Sequence, residues 1–307
     1  MWPRAEGPAA LRAALRARLR LPVVAAPLFL VSGPELVSAA TAGGVIGAFP
    51  TLNARTEADL EAWLTRLMGG PGSDLVAANL ILHRSNARRD SDLAAVVRHK
   101  VPLVVASVGP PDPVIAPVQG YGGLVFADVA SLRHARRAVK AGADGLVLLT
   151  AGAGGNCGWL NPFAFVAEVR RFFDGPIALA GCVSQGHELR ALELLDVDLG
   201  YLGTAFIAAE ESLAPTDHKA ALIACDADGI LLTDVVTGLP ANFVQARLEA
   251  AGVVDAKGQP LTEGRADVKA WKEVWSAGQG VGAVRAVQPT AEILAALEAG
   301  YAKAKPA

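Results

Sequence analysis

The chain of 307 residues is poor in cysteine and in long apolar runs, and neither sign of charge predominates. Its three cysteines, Cys157, Cys182 and Cys225, have spacings that fit neither a disulfide framework nor a zinc signature, which favours a reducing, cytoplasmic compartment. No apolar run reaches the roughly 18 residues of a membrane span. The arginines near the start leave no room for a signal-peptide core. We therefore expect no membrane association.

The charge balance excludes another class of partner. Lys and Arg number 28 and Asp and Glu number 30, and no basic stripe favours nucleic acid. The five histidines share no spacing typical of metal ligands, so we expect no metal site. The expected partners are a small molecule and, as an open possibility, further copies of the same chain in a homo-oligomer.

Short apolar runs alternate with helical patterns over the first two thirds of the chain. Eight of these runs are predicted strands: 22–26, 45–49, 75–80, 102–107, 123–127, 145–149, 176–180 and 198–202. Eight strand–helix units in about 180 residues close a (β/α)8 TIM barrel, so the predicted fold class is α/β. A doubly wound sheet would carry a glycine-rich turn after its first strand, and residues 26–33 do not match G-x-G-x-x-G.

The same patterns divide the chain into three parts. Residues 1–209 are the predicted barrel domain, which begins with a helix at 8–20 that places Leu11, Leu15 and Leu19 on one stripe and caps the barrel base. Residues 210–285 break the alternation and are predicted to form a helical extension or lid after strand eight. Residues 286–307 contain a last helix that packs on the barrel.

In TIM barrels the chemistry lies at the carboxyl ends of the strands, and phosphate is commonly held after strands seven and eight. Gly181-Cys182 and Gly203-Thr204 occupy those two ends here. Glycine lets backbone N–H groups approach a phosphate, and the Thr204 hydroxyl adds a donor. These residues predict a phosphate-bearing ligand, with simple tight turns as the alternative. The glycine-rich segment 150–158 after strand six is the candidate reacting centre.

Other strand ends carry polar residues. Asn79, Ser107 and Asp128 lie at the ends of strands three, four and five, and an asparagine amide suits the edge of a heterocycle such as a flavin ring. Each of the three is also compatible with a turn or with helix capping, Asp128 above all. Cys157 and Cys182 have no base beside them in sequence, so we interpret both as packing residues.

Three motifs carry a resemblance to a known family. They are Gly-Ala-Gly-Gly-Asn-Cys-Gly at 152–158, Ile-Ala-Leu-Ala-Gly-Cys at 177–182 and Leu-Gly-Thr-Ala-Phe-Ile-Ala-Ala-Glu-Glu-Ser at 202–212. Together with 22–28 and 275–280, they resemble the nitronate monooxygenase family, formerly called 2-nitropropane dioxygenases. That family includes a flavin-dependent enoyl-ACP reductase branch.

The resemblance implies non-covalently bound FMN, with its phosphate on the backbone after strands seven and eight. The flavin ring would lie across the barrel mouth near the first strand, with Asn79 at its polar edge. The segment 275–280 resembles an element that returns to the active site. The predicted cofactor-binding residues are Ala25, Ala26, Pro27, Asn79, Asp128, Gly155, Ala180, Gly181, Cys182, Gly203, Thr204 and Gln279.

Asn156 departs from the family pattern, because the resemblance implies a catalytic histidine there. An asparagine cannot accept a proton at working pH, but it can donate a hydrogen bond to an oxyanion. Nitronates are already carbanionic. The predicted activity is therefore FMN-dependent oxidation of alkyl nitronates by dioxygen to a carbonyl compound and nitrite, with slow reaction of neutral nitroalkanes.

Three alternatives stay open. The chain could be an NAD(P)H-dependent flavin reductase of an enone or enoyl thioester. It could be a flavin-binding module with little turnover, because the histidine is missing. It could also be a flavin-free barrel that acts on a phosphorylated metabolite.

Overall fold

A computed structural model describes residues 7–261 and 272–304. Eight parallel strands form a closed barrel in chain order, and β1 pairs with the last strand so that Val24 lies opposite Tyr201. The eight are β1 (Val23–Ala25), β2 (Ile46–Pro50), β3 (Val76–Ile81), β4 (Leu103–Ser107), β5 (Leu124–Val129), β6 (Gly145–Leu149), β8 (Ile177–Ala180) and β9 (Leu199–Leu202). The short β7 (Gly155–Asn156) lies outside the barrel. The predicted TIM barrel is confirmed.

One helix precedes the first strand, one helix follows each barrel strand, and three more come later in the described chain. In chain order they are α1 (Pro8–Arg18), α2 (Pro34–Ala42), α3 (Glu57–Gly69), α4 (Arg89–Arg98), α5 (Asp112–Gly120), α6 (Leu132–Ala141), α7 (Pro162–Arg170), α8 (Gly186–Leu194), α9 (Thr204–Ile207), α10 (Thr216–Ile223), α11 (Gln245–Ala250) and α12 (Thr290–Lys303). Thr56 and Asp59 form a capping box at the start of α3. In the part of the chain that the structure describes, no helix is long and apolar enough to cross a bilayer.

Helix α1 closes the base of the barrel. Its Leu11 and Leu15 pack against side chains that point into the barrel, such as Leu103 and Leu199. An ion pair from Arg12 Nε to Asp198 Oδ1, 2.6 Å long, ties the helix to the last strand. The predicted stripe of leucines on this helix therefore covers the end of the barrel that lies away from the strand carboxyl ends.

The extension differs from its prediction. It contains α10 and α11, but also two strands, β10 (Ile230–Thr233) and β11 (Ala241–Val244), that form an antiparallel sheet with β7. Ala241 lies opposite Asn156 in this sheet. The prediction of a helical extension or lid did not include these strands, because they are only four residues long and one partner is a glycine-rich loop. Such pairing leaves no local periodicity to detect.

The last helix packs on the outside of the barrel. Helix α12 contacts α8 and α2. The approach is close, because a Cβ atom added to Gly186 in α8 would overlap the backbone carbonyl of Leu297. The last helix predicted within 286–307 is thus present, from Thr290 to Lys303.

Candidate functional site

A cavity of about 1490 Å³ opens at the carboxyl ends of the barrel strands. Its wall combines strand ends with the whole segment 152–158 and with most of 275–280 from the extension. Pockets for a single small ligand are typically about 300–1,000 Å³. The cavity therefore has room for a cofactor and a second molecule.

The structure brings eleven of the thirteen predicted site residues to this cavity. They are Ala26, Pro27, Asn79, Asp128, Gly155, Asn156, Ala180, Gly181, Cys182, Gly203 and Thr204.

Ala25 and Gln279 are not brought to the cavity wall. Ala25 packs with Leu36 and Ala40 in the layer between barrel and helices, because neighbouring residues of a strand point to opposite faces. Gln279 instead joins two segments: its N–H donates to the Gly152 carbonyl at 3.0 Å, and its Oε1 lies 3.6 Å from the Cys182 sulfur. The Ala25 side chain therefore points away from the cavity, whereas the Gln279 side chain lies beside Cys182, which lines the cavity.

The turn after β8 has the geometry of an anion cradle. Gly181 and Cys182 both adopt left-handed backbone conformations, with φ of 115° and 58°. A Cβ atom at Gly181 would overlap the Thr150 hydroxyl and lie 2.7 Å from the Ala153 nitrogen. Only glycine meets both the conformation and the space at this position, so the backbone stays open to a ligand.

The turn after β9 completes this cradle. Gly203 is the N-cap of the short helix α9, whose first N–H groups have no partners within the helix. Thr204 Oγ accepts a hydrogen bond from the Gly278 N–H at 2.9 Å, which leaves its own proton free to donate. The loops after the seventh and eighth barrel strands and a short helix are the usual phosphate site of this fold. The residues present therefore fit a phosphate group.

Unpartnered polar atoms are concentrated around the cavity. Among the described residues, four cavity-lining side chains have a buried polar atom without a hydrogen-bond partner: Asp128 Oδ1, Asn156 Oδ1, the Tyr201 hydroxyl and His218 Nε2. Buried polar groups in proteins nearly always have a partner. Four such atoms around one cavity mark it as the place where a ligand completes the hydrogen bonding.

A chain of hydrogen bonds joins the ends of β3, β4 and β5. Asn79 Nδ2 donates to Val105 O at 3.1 Å and to Ser107 Oγ at 2.5 Å, and the Ser107 hydroxyl donates to Asp128 Oδ2. Both amide protons of Asn79 are therefore used within the protein. The group that it can offer a ligand is its carbonyl oxygen, an acceptor rather than a donor.

Asp128 is not a helix cap, because Ser131 is the N-cap of α6 and accepts a hydrogen bond from the His134 N–H. Burial raises the pKa of Asp128 from 3.8 to about 7, and the hydrogen bond from Ser107 opposes this rise. Burial and the Asp128 charge together raise the pKa of Tyr201. The cavity thus holds a carboxyl group that changes protonation near neutral pH beside a phenol that stays protonated.

The glycine-rich segment is held from two sides. Asn242 Nδ2, on β11, donates to the carbonyls of Ala151 at 2.8 Å and Ala153 at 2.7 Å. A Cβ atom at Gly154 would lie 2.7 Å from the Gly278 nitrogen, so the loop packs directly on the returning segment. Burial raises the pKa of the Cys157 thiol, which leaves it a protonated packing residue.

His218 is a cavity residue that sequence reasoning missed. It lies on α10, is 5% exposed and stacks on Trp275 with ring centroids 4.8 Å apart. Burial lowers its pKa to about 4, against the effect of a hydrogen bond with the Ser276 backbone, and Arg247 lowers it further. The imidazole is therefore neutral near pH 7. The sequence contains no spacing between His218 and another polar residue that would predict its place in the cavity.

A metal site is not indicated within residues 7–261 and 272–304, where no group of three His, Cys, Asp or Glu side chains could hold an ion.

Known proteins share this architecture. FabK of Thermotoga maritima superposes with a TM-score of 0.77 at 21% identity, covering 94% of both chains. A nitroalkane oxidase of Streptomyces ansochromogenes gives a TM-score of 0.75 at 25% identity, covering 94% of this chain and 98% of the other. The first likeness concerns the fold alone.

Sequence relatives extend the comparison. The chain is 24% identical over 227 residues to (3aS,4S,5R,7aS)-5-hydroxy-7a-methyl-1-oxo-octahydro-1H-indene-4-carboxyl-CoA dehydrogenase of Rhodococcus jostii, covering 74% of this chain and 63% of the relative. It is 27% identical over 180 residues to nitronate monooxygenase of Paraburkholderia phytofirmans, covering 55% of this chain and 49% of the relative. The chain thus spans less than two thirds of the length of these relatives.

A family model described as nitronate monooxygenase matches residues 74–300. This range includes β3 to β9, the glycine-rich segment, both turns of the phosphate cradle and the returning segment. The chain therefore belongs to the nitronate monooxygenase family.

Proposed function

We propose that this protein is a flavin-dependent oxidoreductase that binds FMN and oxidises alkyl nitronates with dioxygen to a carbonyl compound and nitrite. The observation that carries the proposal is the joining of a phosphate cradle and four unpartnered polar atoms in one cavity large enough for two molecules. Membership of the nitronate monooxygenase family supports a flavin as the cofactor.

In this proposal the backbone at Gly181, Cys182 and Gly203 and the Thr204 hydroxyl hold the FMN phosphate. The Asn79 carbonyl oxygen accepts a hydrogen bond at the polar edge of the flavin ring. When bound, FMN supplies the electron acceptor that no side chain of the protein provides. The apolar residues Ala26 and Pro27 exclude water beside it.

Asn156 is the proposed residue for the substrate. Its Nδ2 donates a hydrogen bond to a negatively charged oxygen of the nitronate and so keeps the substrate oriented. An amide cannot take up a proton, and a nitronate has already lost the proton that a neutral nitroalkane must give up. This pairing of residue and substrate makes the anion the reactive form.

The test compares the two substrate forms. Oxygen consumption by FMN-loaded protein is measured with propane-2-nitronate and with freshly dissolved neutral 2-nitropropane. We expect the nitronate to react about 100-fold faster or more, which is the usual size of the effect of a missing general base. Equal rates would contradict the proposed role of Asn156.

Two variants sharpen this test. We expect Asn156→His to raise the rate with neutral 2-nitropropane by about 100-fold, because it restores a proton acceptor. Asn156→Gln is the matched control, since it keeps the amide and provides no base. If Asn156→His leaves the neutral rate unchanged, Asn156 does not lie at the reacting centre.

A second candidate function is NAD(P)H-dependent reduction of an enone or enoyl thioester. The cavity is larger than a small nitronate needs, and α6 lines part of it with cationic side chains. Rapid anaerobic mixing with NADPH tests this function, because loss of the flavin absorbance within the first turnover supports a reductase.

Protein that is yellow but inactive with nitronates, quinones and nicotinamides is instead a flavin-binding module. Colourless protein that takes up no FMN contradicts both proposals.

A further inference from the structure

The cavity continues outward from the strand ends along one side of α6. Five polar side chains of this helix line it: Arg133, His134, Arg136, Arg137 and Lys140. All five are exposed, and the sequence of the helix, Leu-Arg-His-Ala-Arg-Arg-Ala-Val-Lys-Ala, contains no acidic residue. Loop 108–111 and Trp159 line the cavity as well. We call this part of the cavity the α6 groove.

The positive charge in the α6 groove is largely uncompensated. Arg137 lies 3.7 Å from Asp112, with both side chains more than half exposed, a geometry that contributes little energy. The Arg136 guanidinium stacks on the Phe172 ring, 4.8 Å from its centroid. Arg133 and Lys140 form no ion pair with any residue that the structure describes. Among the described residues, these four cations therefore share one carboxylate partner.

An aromatic side chain lines the same cavity. The Trp159 indole is 79% exposed, although most large aromatic side chains are substantially covered. It directly follows Cys157 and Gly158 of the glycine-rich segment, which lines the same cavity. An exposed indole is a platform for a flat ring of a ligand, and such stacking tolerates many ring types.

Cations and an aromatic platform together select a particular ligand chemistry. Arginine binds phosphate oxygens through paired N–H donors, and one turn apart on a helix several arginines can bind neighbouring phosphates. From Arg133 to Lys140 the helix rises about 10 Å, which exceeds the length of a single phosphate. The groove therefore suits a ligand with two or more phosphates and a heteroaromatic ring.

We propose that the α6 groove binds the adenosine-pyrophosphate end of a nucleotide ligand, with the α6 cations on its phosphates and Trp159 on its adenine. Coenzyme A, as the carrier of a thioester substrate, and NAD(P)H share this chemistry. Because the groove is continuous with the cavity that Asn156 lines, a ligand anchored there extends toward the reacting centre. This site is separate from the phosphate cradle and goes beyond the proposed nitronate oxidation.

The experiment measures binding of coenzyme A and of NADPH to protein saturated with FMN, by isothermal titration calorimetry. FMN saturation prevents either nucleotide from occupying the phosphate cradle. We expect at least one of the two to bind, and its Kd to rise with ionic strength because exposed charges are screened by salt. Binding of coenzyme A alone assigns the groove to a thioester carrier, and binding of NADPH alone assigns it to a nicotinamide reductant.

Variants locate the binding. The double change Arg133→Ala with Arg137→Ala is expected to weaken binding by about 100-fold, and Trp159→Ala by about 10-fold, in line with charge-assisted phosphate contacts and base stacking. Arg171→Ala is the matched control, because Arg171 is an exposed arginine at the end of α7 that does not line the cavity. It should change Kd by less than about twofold.

Two results would overturn the proposal: neither nucleotide binds at millimolar concentration, or one binds with an affinity that the groove variants leave unchanged. The flavin proposal is judged separately from the visible absorbance of the purified protein. Colourless protein that still binds coenzyme A through Arg133 and Trp159 would refute the flavin cofactor and leave the groove proposal standing.

Discussion

Replacing Asp128 with asparagine is expected to change how the stability of the protein depends on pH. The pKa of Asp128 is about 7 in the fold and 3.8 ordinarily. Between these values the folded protein holds more protons than the unfolded chain, so the free energy of unfolding falls as pH rises from about 4 to 7. About 3 pH units at ~1.4 kcal/mol each set an upper limit of ~4 kcal/mol. Because the side chain borders the cavity, we expect about half of this, ~2 kcal/mol.

His218 produces a slope of opposite sign. Its pKa is about 4 in the fold and 6.5 ordinarily, so its contribution to stability is present above pH 6.5 and is lost as pH falls toward 4. The upper limit of this loss is ~3 kcal/mol. Between about pH 4 and 6.5, Asp128 and His218 change the free energy of unfolding in opposite directions as pH rises. The two effects therefore largely cancel in the wild-type protein.

The assay is urea unfolding of flavin-free wild type, Asp128→Asn and His218→Gln at several pH values from 4 to 8. The stability of Asp128→Asn relative to wild type should increase by ~2 kcal/mol between pH 4 and 7, because the amide cannot ionise but can still accept the hydrogen bond from Ser107. The stability of His218→Gln relative to wild type should instead increase as pH falls. A difference between Asp128→Asn and wild type that is constant with pH would refute the reasoning.

Three further changes test other parts of the structure. Gly154→Ala should destabilise by about 1–3 kcal/mol in urea unfolding, because its Cβ meets the Gly278 backbone, whereas Gly282→Ala, with open space around it, should cost under ~1 kcal/mol. Asp198→Asn should cost about 1–3 kcal/mol, because it removes one of the two carboxylates that Arg12 and Arg170 share at the barrel base and leaves them Asp196. Saturating FMN should slow alkylation of the exposed Cys182, followed by mass spectrometry, by up to about 100-fold and leave Cys225 unaffected; equal protection of both thiols would contradict the cradle.

The barrel was predictable because its signal is local and repeated. Each parallel strand is buried on both faces and therefore appears as a short apolar run, and each covering helix has its own period. The capping helix α1 was predictable for the same reason, since Leu11 and Leu15 share one stripe and both are buried. The turns after β8 and β9 followed from counting strands.

The same burial explains why Ala25 was misplaced. Residues 23–26 are all apolar and all buried, so the sequence does not reveal which of Ala25 and Ala26 points into the barrel. Tyr201 was missed for a related reason: it lies within the apolar run of β9, and its hydroxyl becomes informative only when it is seen without a partner in the cavity.

Residues whose place in the site depends on long-range contacts could not be predicted from the sequence. His218 reaches the cavity because α10 packs beside Trp275, which is far along the chain. The pairing of β7 with β11 involves two residues of a glycine-rich loop. The charge of α6 was hidden by the near-zero net charge of the whole chain, although five polar residues of this one helix line the cavity.

The hydrogen bonds that hold the cavity mouth connect distant parts of the chain. Asn242 bonds to carbonyls 89 and 91 residues away, and Gly278 bonds to Thr204, 74 residues away. Contacts of such sequence separation cost the chain much entropy when they form. Chains that have closed the barrel but not docked β11 and the segment 275–280 would lack a finished site. Binding of a ligand in the cavity therefore requires the completely folded chain. A ligand at 100 times its Kd favours that state by ~2.7 kcal/mol.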